Sequence, residues 1–258
     1  MPLSSDRAWR VFEGLTAAFY AGGAGGTAHA GQGWFASLSN TPSGELNVCG
    51  LTARADRQSA GKGRHGRDWF GGAGNFMGST VVWPAAGAPA AATLALVTAI
   101  AVLETVAPLL TPPHFAMLKW PNDLLIGGAK LSGILLERTG DAVIIGIGVN
   151  LAAAPEVPGR STVALAAFGP APDRDTFAAN LAARFATELE RWRSFGTEPL
   201  LRRWQAAAHP VGTLLLVGEP GEVPLAGEFA GLNADGALQL RLPDGTRRTI
   251  HAGEIRLA

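Results

Sequence analysis

Between residues 115 and 151 the chain reads FAMLKW, a Pro-Asn-Asp turn, DLLI, a Gly-Gly turn, KLSGILLE and the apolar run AVIIGIGVNL. Extended segments joined by such short turns pair antiparallel, since a parallel pair needs a crossover of about a dozen residues. LNVCGLTARA and NFMGSTVVWP add strands upstream. An Ala/Leu/Val-rich helix over 90–110, stopped by Thr111-Pro112-Pro113, supplies a layer to cover them. The fold class that follows is α+β, a mixed and largely antiparallel sheet packed with helices.

A helix over 173–195 carries Phe177, Leu181, Phe185, Leu189 and Trp192 at helical spacing, and a second follows near 197–207. At HPVG the composition shifts to GTLLLVG, GEFAGLN, GALQLRL and TRRTIHAGEIRLA, short strands broken by Gly, Pro and Asp turns. The spacing predicts a small C-terminal β-barrel of SH3-like size over 209–258, after a larger unit over 1–208. Upstream, Trp9, Phe12, Leu15 and Phe19 predict a short helix, with Ser4 or Ser5 as its cap. The glycine-rich stretch within 21–47 reads as an inserted segment or mobile loop.

Composition narrows the function classes. Lys and Arg balance Asp and Glu at 21 each, so the overall field favours neither nucleic acid nor an anionic membrane, and an anion site must be local. Cys49 stands alone, which excludes an internal disulfide and a thiolate metal cluster and fits a reducing compartment. The longest apolar run, residues 90–101, is interrupted by two threonines, short of the ~18 residues of a membrane span, and the first residues carry no signal core. The expectation is a cytoplasmic protein.

Three stretches carry chemistry. In GKGRHGRDW, residues 61–69, Lys62, Arg64, His65 and Arg67 alternate with Gly61, Gly63 and Gly66 and end on Trp69. Glycines let backbone N–H groups converge on an anion, while lysine and arginine supply charge and planar donors. The order matches neither a Walker A loop nor a dinucleotide fingerprint. In KWPNDLLIGGAKLSGILLE a hairpin brings Asp123 and Lys130 together, as a site for a metal-bound nucleotide or as a surface ion pair. Gly133 marks a close backbone approach or a bulge. In GIGVN, Asn150 ends a buried strand, as a ligand wall or a turn residue.

Taken in order, GKGRHGRDW, KWPNDLL, KLSGILLE, GIGVNL and HAGEIRL resemble the biotin protein ligases, from about Leu51 to the C-terminus. The resemblance implies a fold of the class II aminoacyl-tRNA synthetase and biotin ligase type. It implies an enzyme that makes biotinyl-5′-AMP from biotin and Mg-ATP, then passes the biotinyl group to a lysine of a biotin carboxyl carrier domain. By the same resemblance the segment from Gln58 to Trp69 closes over the adenylate, with Lys62 and Arg64 meeting its carboxyl and phosphate groups. His65 and Arg67 act on ATP phosphates or order the loop, and Lys130 contacts the reaction centre. Asn122 and Asp123 lie near Mg2+ and the triphosphate, and Asn150 beside the nucleotide. A homodimer through the sheet is common in that family.

The pattern has departures. Lys62 and His65 stand where the family usually has arginines, so one bidentate fork is lost at each. The family's Ser-Thr-Asn motif for the biotin ureido ring has its nearest counterpart at Ser4-Ser5, with Ser39-Asn40-Thr41 as a rival, and the strand before it is missing. No segment matches the DNA-binding unit of the bifunctional ligase-repressors. A lipoate or octanoate ligase or transferase of the same superfamily, a non-catalytic biotin-binding regulator, and an RNA-binding protein using Arg247-Arg248 are the competing readings.

Overall fold

A computed structural model describes residues 35–40, 46–54, 58–218 and 223–257. The expected N-terminal helix with Ser4 and Ser5, and the glycine-rich residues 21–34, lie outside the described residues.

Seven strands form one sheet in the order β1-β2-β5-β9-β8-β7-β6. They are β1 (Phe35–Asn40), β2 (Leu46–Arg54), β5 (Phe76–Val82), β6 (Ala116–Lys119), β7 (Asp123–Ile126), β8 (Ala129–Thr139) and β9 (Ala142–Val149). Every neighbouring pair is antiparallel, as the short turns require for β6 to β9. β3 (Gln58–Lys62) and β4 (Asp68–Gly71) form a separate hairpin.

β1 corrects one expectation. It falls within the stretch read as an inserted segment or loop and pairs with β2, so a strand does stand before the LNVCGLTAR segment. FASLSN alternates apolar and polar residues only from Ala36 to Ser39, too short a period to read beside the glycine-rich segment before it.

β5 and β9 are the central strands and are buried on both faces, which explains their nearly unbroken apolar runs. On β9 the alternation is between partners. Val143, Ile145, Ile147 and Val149 join the main core, while Ile144, Gly146 and Gly148 face the other side. The main core is sealed by α1 (Leu94–Val106), α2 (Arg174–Phe195) and α3 (Glu198–Ala206). All five spaced apolar residues of α2 are buried, as predicted. Asp173 caps it by accepting from Thr176 N at 2.8 Å.

The apolar run is longer than its threonines suggested. Thr93 and Thr98 donate to Ala90 O and Leu94 O, so their hydroxyls are satisfied within the helix. The helical run Ala91–Leu109 has 19 residues and is long and apolar enough to cross a membrane by length and composition. With 61% of it buried inside the molecule, it serves here as the core helix.

Beyond α3, β10 (Leu214–Gly218), β11 (Leu225–Leu232), β12 (Leu238–Arg241), β13 (Arg247–Ile250) and β14 (Glu254–Leu257) form an antiparallel sheet in the order β13-β12-β11-β10-β14. This is the expected small β unit, with β13 and β14 at its two edges. Its Leu215, Phe229, Leu238 and Ile255 belong to the same buried cluster as Trp204 and Trp120. Trp120 Nε1 donates to Gly236 O at 3.1 Å across the join.

Candidate active site

Strand register sets out the site. Lys119 pairs with Asp123, Asp123 with Gly133, Gly133 with Gly148 and Gly148 with Met77, one row across β6, β7, β8, β9 and β5. Residues in one row share a face, here the face away from α1. Register slips by one residue where Leu124 and Leu125 meet Ser132 and Lys130. The bulge leaves Leu131 in the core and lets Lys130 reach Asp123, with Nζ 2.5 Å from Oδ1. The expected Asp123–Lys130 pair is therefore formed, and at 16% and 24% side-chain exposure it is no surface pair.

Trp69 lies over this row. A Cβ on Gly148 would overlap its indole, and one on Gly133 would stand 3.2 Å from Cζ3 and 3.1 Å from Lys130 Nζ. At 148 only glycine leaves room for the ring, and at 133 a side chain would fit only if the ring or Lys130 gave way slightly. Lys130 Nζ is 5.8 Å from the Trp69 centroid, within cation–π range. Trp69 thus fastens the β3–β4 hairpin to the main sheet.

The hairpin carries the cations at its tip. His65 and Gly66 take positive φ, 58° and 68°, and Gly63 N donates to Arg67 O at 2.7 Å to close the turn. Lys62 meets Asp68 at 2.8 Å with both side chains more than half exposed, a weak and easily exchanged pair. Arg64 Nη1 donates to Gly253 O at 3.1 Å, and Arg67 Nη2 to Glu254. Gly61 is buried at the hairpin base, and the side chain of Gln58 lies outside what is described.

Asn122 and Asn150 are divided between structure and site. Asn122 Nδ2 donates to Ile134 O at 2.6 Å, so the amide staples its turn to β8. Asn150 is 2% exposed; Nδ2 donates to Val163 O at 3.1 Å, and Oδ1 has no partner among the described residues. A buried acceptor left open on a cleft wall suits a ligand N–H group.

Together these residues line a cleft of about 1000 Å³. It holds Lys62, Gly63, Arg64, Arg67, Trp69, Asn122, Asp123, Lys130, Gly133 and Asn150, but not His65 or Gly66, which point the turn outward. Among the lining residues that escaped the sequence reading are Lys119, Arg160, Glu254 and Arg256. Burial pushes the Lys119 amine below the usual lysine range; Asp123 opposes this, and Lys130 and Arg256 reinforce it. Lys119 opens the KWPND motif and Glu254 and Arg256 sit in HAGEIRL, so a signal existed for three. Arg160 lies in a Pro/Gly-rich stretch that carried none.

The cleft lining carries seven Lys or Arg side chains against four Asp or Glu, a net positive wall suited to an anion. The described residues hold no group of three or more His, Cys, Asp or Glu side chains that could cage a metal.

Residues 40–150 match the Biotin/lipoate A/B protein ligase family, and residues 216–257 match the Biotin protein ligase C terminal domain. The chain is 39% identical over 212 residues to a biotin–[acetyl-CoA-carboxylase] ligase of Paracoccus denitrificans, covering 78% of this chain and 88% of that one. It is 33% identical over 222 residues to the enzyme of the same name from Mycobacterium tuberculosis, covering 84% and 82%. Its fold superposes on the Aquifex aeolicus biotin protein ligase in complex with biotin and ATP with a TM-score of 0.69, at 26% identity over 80% of this chain and 88% of that one.

Proposed function

Because the chain belongs to the biotin protein ligase family, we propose that its cleft joins biotin to ATP as biotinyl-5′-AMP and delivers the biotinyl group to a lysine of a biotin carboxyl carrier domain. The observation that carries this is the meeting, in one cleft, of the GKGRHGRDW hairpin and the Lys119–Asp123–Lys130 cluster.

In the first step a carboxylate oxygen of biotin attacks the α-phosphorus, and the bond to pyrophosphate breaks. Two anions must approach, so the cations lower the barrier to the extent that they bind the crowded charge of the transition state more tightly than the separate substrates. Lys130 is best placed: it is three-quarters buried, anchored by Asp123 and braced by Trp69. Lys62 and Arg64 approach from the hairpin, and the exposed Lys62–Asp68 pair exchanges readily for a phosphate. In the second step the carrier amine attacks the biotinyl carbonyl, and AMP leaves with the bonding electrons. No residue of the protein becomes covalently attached.

Asn150 Oδ1 is the acceptor for the amino group of adenine. Asp123 is a single carboxylate already engaged by Lys130, which fits Mg2+ arriving on the triphosphate and not a resident, protein-caged ion. When bound, Mg2+ would neutralise phosphate charge. Gly63 and Gly133 line the cleft, Gln58 and Gly61 belong to the strand that leads into the cationic turn, and Ser4 and Ser5 remain the proposed contacts for the ureido ring. The proposal extends to a division into units 1–208 and 209–258, a cytoplasmic setting, no nucleic-acid partner, and a homodimer through the sheet.

ATP–pyrophosphate exchange tests the reading. Exchange should depend on biotin and not on lipoate or octanoate, and Lys130→Ala should lower it by roughly 10²–10³. Equal exchange with lipoate would shift the substrate; biotin binding without exchange would make the protein a regulator.

A further inference from the structure

We propose that Arg160 is a positioning residue: with Glu254 it forms a clasp across the open side of the cleft that sets how long the adenylate is held. The proposal rests on the ligase reading above.

The geometry is specific. Arg160 Nη2 reaches both carboxylate oxygens of Glu254, at 3.1 and 2.9 Å, and the same carboxylate accepts from Arg67 Nη2. Next to it, Gly253 O accepts from Arg64 Nη1 at 3.1 Å. Two consecutive residues at the start of β14 therefore gather guanidinium groups from two segments distant in sequence, the β3–β4 turn and the loop over 155–163. That loop is tied on its other side to the reaction centre: Lys130 N donates to Ser161 O at 2.8 Å, and Val163 N to Lys130 O at 2.9 Å. Arg160 thus connects the C-terminal unit to the backbone of Lys130 within one to three residues.

Charge adds to this. One carboxylate faces two guanidinium groups, which leaves a net positive charge at the rim, and Arg67 Nη1 is buried without a hydrogen-bond partner among the described residues. An anionic ligand beneath would complete the set, and the clasp would have to open before it leaves. Arg160 and Glu254 are 40% and 24% exposed, so the pair adds little to stability; its effect lies in holding two segments over the cleft.

The test is single-turnover formation of radiolabelled biotinyl adenylate, followed by its release, in wild type, Arg160→Met, Glu254→Gln and the double variant, with melting temperatures recorded. Each single variant should release adenylate about five- to tenfold faster, and the double variant no faster than Glu254→Gln, because Glu254→Gln already disrupts the Arg160 contact along with that to Arg67. Arg160→Lys should restore only part of the retention, having lost the planar fork. Unchanged release in Arg160→Met, or effects that multiply in the double variant, would overturn the clasp. If Glu254→Gln unfolds, Arg160→Met and Arg160→Lys decide alone. Wild type that forms no adenylate would instead overturn the ligase reading, and the clasp with it.

Discussion

Gly148 has no freedom to change. Its missing side chain is the seat of the Trp69 indole, and Gly133 opposite completes that seat. Gly148→Ala should displace the ring and with it the hairpin that carries Lys62, Arg64 and Arg67. Biotin-dependent exchange should fall about 10²-fold, with a red shift in tryptophan emission. Unaltered exchange and emission would show that the ring is not seated there. The sequence left Gly133 open between a close approach and a bulge. That choice depends on which residue comes to lie opposite, which no local pattern records. Lys130 and Asp123 were legible because seven residues spanning a tight turn leave two strands few ways to pair.

The helices show a parallel division. The apolar stripe of α2 was readable, but the same face also buries Glu188, 2% exposed, which breaks the stripe. Its carboxylate accepts from Arg191 at 2.6 Å and from Arg203 on α3, and Arg203 also bonds Glu104 on α1. Three helices are pinned by one guanidinium. Arg203→Met should cost about 3 kcal/mol in urea denaturation, because it leaves a buried charge half-paired. Glu188→Leu combined with Arg203→Met should recover most of that loss. A single variant as stable as wild type would mean that Arg191 suffices. β1 was missed because only Ala36 to Ser39 alternate, between glycine-rich and turn segments, too short a period to read.

At the scale of the molecule, the antiparallel run from β6 to β9 and the late β unit could be read from turns and composition, but not the way the two units meet. The contacts that build the cleft rim join residues nearly 190 positions apart, Arg64 with Gly253 and Arg67 with Glu254. Such pairings leave no periodic trace. His209 lies at this join, 8% exposed, beside Trp120, Trp204, Leu215 and Phe229. Burial, aided by Lys119, holds its imidazole below the usual range. A base so shifted binds fewer protons folded than unfolded. Stability should therefore decline as pH falls below the unfolded value of about 6.5, and continue to decline until the folded value is passed. Calorimetric melting between pH 7.5 and 5 should show a shallower decline in His209→Gln than in wild type; parallel slopes would remove His209 from the acid response.

The row from Lys119 to Met77 carries one last implication, which concerns how the chain must assemble. Sliding β8 by a single residue against β9 would swing Gly133 toward the helices and lift Ile134 beneath the indole. Cleft floor and oily interior are obverse and reverse of the same pairing choice. A mispaired chain would lose its catalytic floor at the moment it lost its packing, leaving no half-working form to persist.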